Sequence, residues 1–150
     1  MCFVCTGNIC RSPMAETVFA DALRREGLAH RVRVSSAGMG NWHVGDPADP
    51  RAAETLRRAG YTCEHVAAQL DPQHLSADLL VALDYGHLAA LRRLVAEPNR
   101  VVLLRSFDQS AGRDLDVPDP YYGGKHGFDD VLGMVRAAVP GLLAWVRHRL

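Results

Sequence analysis

The chain is expected to fold as an α/β protein: a four-stranded parallel sheet flanked by helices on both faces, a single-domain three-layer sandwich. Three observations carry this expectation. Short apolar runs over 1–5, 78–83 and 100–104 alternate with segments of helical periodicity. Strands separated by helices connect through right-handed crossovers, which lay the strands parallel. At 150 residues, with no repeat, low-complexity tract or linker, residues 1–150 read as one domain with its own core.

Each element has a local reason. Met1–Cys5 is apolar throughout and reads as a short central strand. Pro13–Glu26 is the first helix. Ser12 stands at its cap, Pro13 suits its first position, and Met14, Ala15, Val18, Phe19, Ala22 and Leu23 recur at helical spacing until Gly27. Arg31–Ser35 alternates strictly and predicts a half-exposed edge strand. Asp49-Pro50 opens a helix that runs to Ala59 and is closed by Gly60. Asp71-Pro72 opens a short helical turn, and Asp78–Leu83 is a buried strand. Tyr85–Val95 is a helix with Leu88, Leu91, Leu94 and Val95 on one face, and Arg100–Leu104 is the fourth strand. Phe128–His148 is a long helix carrying Val131, Leu132, Val135, Leu142, Trp145 and Val146, which Pro140 should kink or restart.

Composition narrows the function. The formal net charge is zero and 48% of residues are apolar, so nothing points to nucleic acid or to an anionic membrane surface. No stretch reaches membrane-spanning length and no signal peptide precedes the first strand. A cytoplasmic location is expected, any export then being independent of a signal. Three of the four cysteines (Cys2, Cys5, Cys10, Cys63) fall within nine positions, which does not suit a disulfide framework. Cys2–Cys5 and Cys5–Cys10 are the only close cysteine pairs, with no second Cys or His pair at finger-like spacing, so no metal is expected. Cys2 and Cys63 read as packing thiols.

The loop Cys5-Thr6-Gly7-Asn8-Ile9-Cys10-Arg11, followed by Ser12-Pro13, joins the first strand to the first helix. Such a loop turns several backbone N–H groups toward one point, and that point attracts an anion. A cysteine facing it is pushed toward thiolate, and an Arg beside it offers a planar fork for phosphate. The bare Cys-x5-Arg spacing is weak, since four Cys and sixteen Arg give about 0.4 chance matches. The strand–loop–helix context is what makes it informative. In open parallel sheets ligands bind at the carboxyl ends of strands, where this loop and the long loops 36–49 and 105–127 all lie. The last of these contains Asp119-Pro120-Tyr121-Tyr122-Gly123-Gly124. It places a carboxylate, a candidate general acid, near the anion cradle, beside two aromatic rings.

Val4-Cys5-Thr6-Gly7-Asn8-Ile9-Cys10-Arg11-Ser12-Pro13-Met14-Ala15-Glu16 together with Asp119-Pro120-Tyr121-Tyr122-Gly123 resembles the low-molecular-weight protein tyrosine phosphatases, actinobacterial-type members above all. Ser35-Ser36-Ala37-Gly38, Gly40-Asn41-Trp42-His43-Val44-Gly45, Val81-Ala82-Leu83-Asp84 and Leu104-Arg105-Ser106-Phe107-Asp108 extend the similarity along nearly the whole chain. The resemblance implies hydrolysis of phosphotyrosine through a phosphocysteine. Cys5 is the implied nucleophile, Arg11 and the amides of Thr6, Gly7, Asn8, Ile9 and Cys10 the phosphate cradle, and Asp119 the general acid and then base. No cofactor is implied. Asn8 is expected to brace the loop, Ser12 to donate to the Cys5 sulfur, and Ser36 and His65 to extend that network, though His65 also reads as a surface histidine. Trp42, Tyr121 and Tyr122 would line the entrance, with core packing the other reading of Trp42. Ile9 leans toward tyrosine, because relatives specific for phosphoarginine tend to carry Thr there. Cys10 is either a redox partner of Cys5 or a space-filling thiol. The implied partners are tyrosine-phosphorylated proteins, inorganic phosphate as product, and a tyrosine kinase acting on Tyr121 and Tyr122, for a monomer or weak homodimer. The alternatives are phosphoarginine hydrolysis, arsenate reduction on the same scaffold (which lacks its further cysteines after Cys63), and a phosphotyrosine-binding adaptor without turnover.

Overall fold

A computed structural model describes residues 1–124 and 126–150. Its four strands are β1 (Cys2–Cys5), β2 (Ser35–Gly38), β3 (Leu80–Ala82) and β4 (Val101–Leu103), all parallel in the order β2-β1-β3-β4. Five helices accompany them: α1 (Arg11–Arg25), α2 (Pro50–Arg58), α3 (Pro72–Leu75), α4 (Tyr85–Arg92) and α5 (Gly127–Arg149). Side chains on a strand alternate between faces, and β1 shows the consequence. Phe3 and Cys5 join one apolar cluster with Met14, Phe19, Leu56 and Val135 from α1, α2 and α5. Cys2 and Val4 join another with Leu88 and Leu91 of α4. The Phe3 and Phe19 rings meet edge to face at 6.1 Å. The sheet is therefore covered on both sides, and β1 lies inside it with neighbours at both edges.

The direction in which strands are added to the sheet reverses at β1. The first crossover leads to β2 on one side, and β3 then takes the other side. The carboxyl end of β1 is thus the crevice where such sheets bind ligands.

Three expectations are corrected. The edge strand begins where it was expected to end: β2 is Ser35–Gly38, not Arg31–Ser35. Arg31 and Arg33 are exposed, Ala29–Arg31 form a 3-10 turn, and the small residues Ser36, Ala37 and Gly38 are the buried ones. Alternation alone marked the approach to the sheet; the chain pairs only where small side chains let β1 and its loop come close. The last helix runs through Pro140 without restarting. At the adjoining Gly141 a Cβ would collide with the backbone of Phe107, so the Pro-Gly pair lies where α5 crosses the turn Leu104–Phe107 closely. Leu94 falls beyond the end of α4 and is exposed, outside the face expected to carry it.

Gly38 sets the height of the loop that follows β1. A Cβ there would stand 2.9 Å from the Thr6 carbonyl oxygen, 3.0 Å from Gly7 C and 3.1 Å from Asn8 N, all backbone atoms that cannot rotate away. Gly38→Ala is expected to lower the unfolding free energy by about 1–3 kcal/mol, as overpacking does. Urea unfolding checks it; an unchanged midpoint would show that the loop is not seated on this glycine.

Candidate active site

The loop from β1 to α1 turns on Asn8, whose φ is +58°, the left-handed region that Asn tolerates better than most residues. Its side chain is fully buried and fully bonded. The Ala68 N–H donates to Asn8 Oδ1 at 2.9 Å. That fixes the amide orientation, so Nδ2 donates to Ser12 Oγ at 2.7 Å and to Ser36 Oγ at 3.0 Å. Ser36 passes its own proton to Glu16 Oε2 at 3.3 Å. Ser12 Oγ, with one lone pair engaged by Asn8, lies 2.9 Å from Cys5 Sγ, placed to donate to it when the sulfur is a thiolate. His65 Nε2 donates to the Asn8 carbonyl at 2.6 Å; burial pushes the ring's pKa down and that hydrogen bond opposes the shift. The Glu16 carboxyl is pushed up by burial against the Ser36 bond. Asn8, Ser12, Ser36 and His65 thus lie behind the loop, bracing it.

In front of it, among the described residues, none of the backbone N–H groups of Thr6 to Cys10 finds a protein acceptor. The loop residues Thr6, Gly7, Ile9 and Cys10 line a cleft of about 460 Å³ with Cys5 and Arg11. Arg11 is 3% exposed and held from two sides. Its Nη1 donates to Asp84 Oδ2 and to the Val117 carbonyl, both at 2.9 Å. Its Nη2 donates to Thr6 Oγ1 at 3.3 Å and lies 3.8 Å from Asp119 Oδ2. Thr6 Oγ1 is 2.9 Å from His87 Nε2, and His87 Nδ1 is 3.2 Å from Asp84 Oδ1. Thr6 Oγ1, which accepts from Arg11, lies within hydrogen-bond reach of His87 Nε2, while the buried His87 Nδ1 stands near Asp84 without making a hydrogen bond to it. Burial pushes the His87 ring down to about 4, although Asp84 pulls the other way. Burial would raise the Asp84 carboxyl, but the His87 N–H, the His87 ring and Arg11 together hold it below its ordinary value.

The cleft's far wall comes from the loop after β4. Val117 N–H donates to the Leu83 carbonyl at 2.8 Å, tying this loop to the end of β3. Asp119 caps the 3-10 turn Pro120–Tyr122, with Oδ1 accepting from Tyr121 N–H at 3.0 Å and Oδ2 turned toward Arg11. The Tyr121 and Tyr122 rings meet edge to face at 4.9 Å. Trp42 also lines the cleft and is 70% exposed, so it is a rim residue, not part of the core. Its ring lies over Gly40, where any Cβ would overlap it. Cys10 lines the cleft as a free thiol, and burial pushes it up to about 12.

The structure therefore brings Cys5, Thr6, Gly7, Ile9, Cys10, Arg11, Trp42, Asp119, Tyr121 and Tyr122 around one cleft. Sequence reasoning missed Asp84, His87, His43, Asp49 and Arg51. Asp84 was findable, as a carboxylate at the carboxyl end of an expected strand. His43 lay within a quoted segment and lines the cleft against Gly7. Asp49 was hidden by its role as a helix cap, and His87 and Arg51 by ordinary helical surroundings. Among the described residues no three His, Cys, Asp or Glu converge as a metal site requires, and no helix is long and apolar enough to cross a membrane.

Comparison with known proteins agrees with this geometry. The family profile described as low molecular weight phosphotyrosine protein phosphatase matches residues 1–150. The low molecular weight protein-tyrosine phosphatase A of Mycobacterium tuberculosis is 58% identical over 149 residues, covering 99% of this chain and 91% of the relative. A low molecular weight protein-tyrosine-phosphatase of Streptomyces coelicolor is 55% identical over 155 residues, covering 100% and 94%. Among solved structures, a protein tyrosine phosphatase from Entamoeba histolytica superposes with a TM-score of 0.92 at 29% identity, covering 98% of this chain and 96% of that one. The YwlE arginine phosphatase, captured with a phosphorylated active-site serine, superposes at 0.86 with 30% identity, covering 97% and 94%. On a match that spans its length and relatives this similar, the chain belongs to the low molecular weight phosphotyrosine protein phosphatase family.

Proposed function

We propose that this chain hydrolyses phosphotyrosine in proteins through a phosphocysteine formed on Cys5. The observation that carries the reading is the placement of Cys5 Sγ. It lies 2.9 Å from the Ser12 hydroxyl behind it and faces a cleft bounded by unbonded loop amides, Arg11 and Asp119.

Cys5 attacks phosphorus as a thiolate, forming the S–P bond as the P–O bond to the phenol breaks. The loop N–H groups and the Nε/Nη2 side of Arg11 hold the three equatorial oxygens while charge builds on them. Asp119 gives its proton to the departing oxygen. It then takes a proton from the water that attacks phosphorus, and the thiolate leaves toward the Ser12 hydroxyl. Inorganic phosphate and the tyrosine side chain are released. Arg11 needs no reorganisation at that moment, because Asp84 and Val117 already fix its Nη1. His87, buried and pushed toward the neutral form, packs its Nε2 2.9 Å from Thr6 Oγ1, the hydroxyl that accepts from Arg11. Trp42, Tyr121 and Tyr122 suit a flat aromatic ring, and Ile9 gives the cleft an apolar lining beside the loop. Cys10 shares the loop with Cys5; in this reading a peroxide oxidises Cys5 to the sulfenic acid, the Cys10 thiol condenses with it to a disulfide with loss of water, and a thiol reductant restores both cysteines.

Cys5→Ser is expected to abolish turnover of p-nitrophenyl phosphate while inorganic phosphate still binds by calorimetry; turnover near the wild-type rate ends the mechanism. Wild-type kcat/KM is expected to favour a phosphotyrosine peptide over phosphoarginine and phosphoserine peptides by about tenfold or more, the scale that pocket contacts supply. Preference for phosphoarginine would move the chain to the other activity named within its family.

His87 also predicts a pH dependence. An unfolded histidine titrates near 6.5 and the folded one near 4, because burial, helped by Arg11, outweighs the opposing carboxylates of Asp84, Asp119 and Asp116. Between those values the unfolded chain holds the extra proton, so stability falls as pH drops through that window and is unaffected above it. The loss due to this ring reaches up to about 3 kcal/mol. Urea unfolding at pH 7.5 and pH 4.5 should show a smaller loss for His87→Asn than for wild type; equal losses would mean the ring is charged when folded.

A further inference from the structure

We propose that Arg51 is a positioning residue for Asp119, holding the proton donor in register with the phosphate-binding loop; this rests on the reading of Asp119 as the group that protonates the leaving oxygen.

The argument is a continuous chain of bonds on the wall opposite Asp84. Asp49 N–H donates to the Ile9 carbonyl at 2.8 Å, joining the start of α2 to the loop. The Asp49 carboxylate, 8% exposed, receives the Arg51 N–H at 2.8 Å and Arg51 Nε at 3.1 Å on Oδ1, and Arg51 Nη2 at 2.9 Å on Oδ2. Arg51 Nη1, the remaining corner of the guanidinium, donates to the Tyr121 carbonyl at 3.2 Å. The Tyr121 N–H in turn donates to Asp119 Oδ1 at 3.0 Å. The guanidinium also lies over two rings, 5.2 Å from the centroid of Tyr121 and 4.8 Å from that of Phe128. Arg51 therefore bridges α2, the Pro120–Tyr122 turn and the first turn of α5.

The turn needs such a tether. Pro120 is buried, but Tyr122 is 87% exposed and two glycines follow it, so beyond Pro120 the segment has little packing of its own. On its other side it is pinned at Val117, two residues before Asp119. Holding Tyr121 from the α2 side fixes the carboxylate between two anchors, with Oδ1 spent on the turn and Oδ2 left toward the cleft. Only a planar fork can place one edge on a carboxylate, a corner on a carbonyl and its faces on aromatic rings; a lysine ammonium cannot.

A merely structural Arg51 would affect all substrates alike. A positioning residue for the proton donor affects most those whose leaving group needs the proton. In the full chain, Arg51→Met is expected to lower kcat/KM for phenyl phosphate by about tenfold, but for p-nitrophenyl phosphate by no more than about threefold. Arg51→Lys, which keeps charge and stem, should show the same asymmetry, and serves should the Met variant fold poorly. In an Asp119→Asn background, Arg51→Met should cost nothing further on either substrate. Equal losses on the two substrates, no loss, or a full additional loss in the Asp119→Asn background would each overturn the proposal. If Asp119→Asn itself shows no leaving-group-dependent loss, the acid assignment fails and this inference falls with it. A normal Asp119→Asn loss beside an unaffected Arg51 variant overturns this inference alone.

Discussion

The site depends on one buried amide. Asn8 sits at a backbone angle that costs most side chains energy, in a loop whose own N–H groups are kept free for a ligand. A loop cannot hold that shape with backbone bonds it does not make. The Asn8 side chain supplies them instead, with three bonds to Ala68, Ser12 and Ser36, while His65 secures its carbonyl. An unsatisfied polar group at zero exposure would cost about 1–3 kcal/mol, so the set forms together or not at all. The same set seats the Ser12 hydroxyl against Cys5 Sγ, so loop shape and the surroundings of the sulfur share one cause.

Charge is handled by a similar economy. A guanidinium buried as deeply as Arg11 must be paired. Asp84 pairs it on one edge, and it does so while also capping α4 and facing the His87 ring. The carboxylate is thus held ionised by groups belonging to a rigid helix start. The other edge of Arg11 stays turned to the cleft. Because that orientation exists before anything binds, a phosphoryl group meets donors already aligned, the condition under which electrostatic stabilisation acts most strongly.

The fold supplies the convergence. β1 ends at the point where the sheet's connections change direction, so the loops after β1, β3 and β4 reach the same crevice. Cys5 and Arg11 come from the first, Asp84 from the second, and Asp119 with its tyrosines from the third. Gly38 lets the edge strand come close beneath the first loop, and Val117 ties the third loop to the end of β3.

Local chemistry determined much of this in advance. Periodicity placed all four strands and the helices in order, with the boundary of β2 displaced because alternation reports exposure and not pairing. The Cys5–Arg11 loop was legible because its nucleophile, turn and helix start are neighbours in sequence, as was the Asp119–Tyr122 turn through its Pro and Gly. His87, Asp49 and Arg51 were not legible in their roles, and Asp84 only as a carboxylate at a strand's carboxyl end, not as the partner of Arg11. Each is an ordinary capping or helical residue locally, and acquires its role only by meeting a side chain or carbonyl far away in sequence, as Arg11 meets Asp84 and Arg51 meets Tyr121. Trp42 likewise fitted core or rim equally until the loop was folded. Residue type and spacing thus decided which groups the chain brings to the crevice; packing of distant segments decided which partners hold those groups and in which direction their protons point.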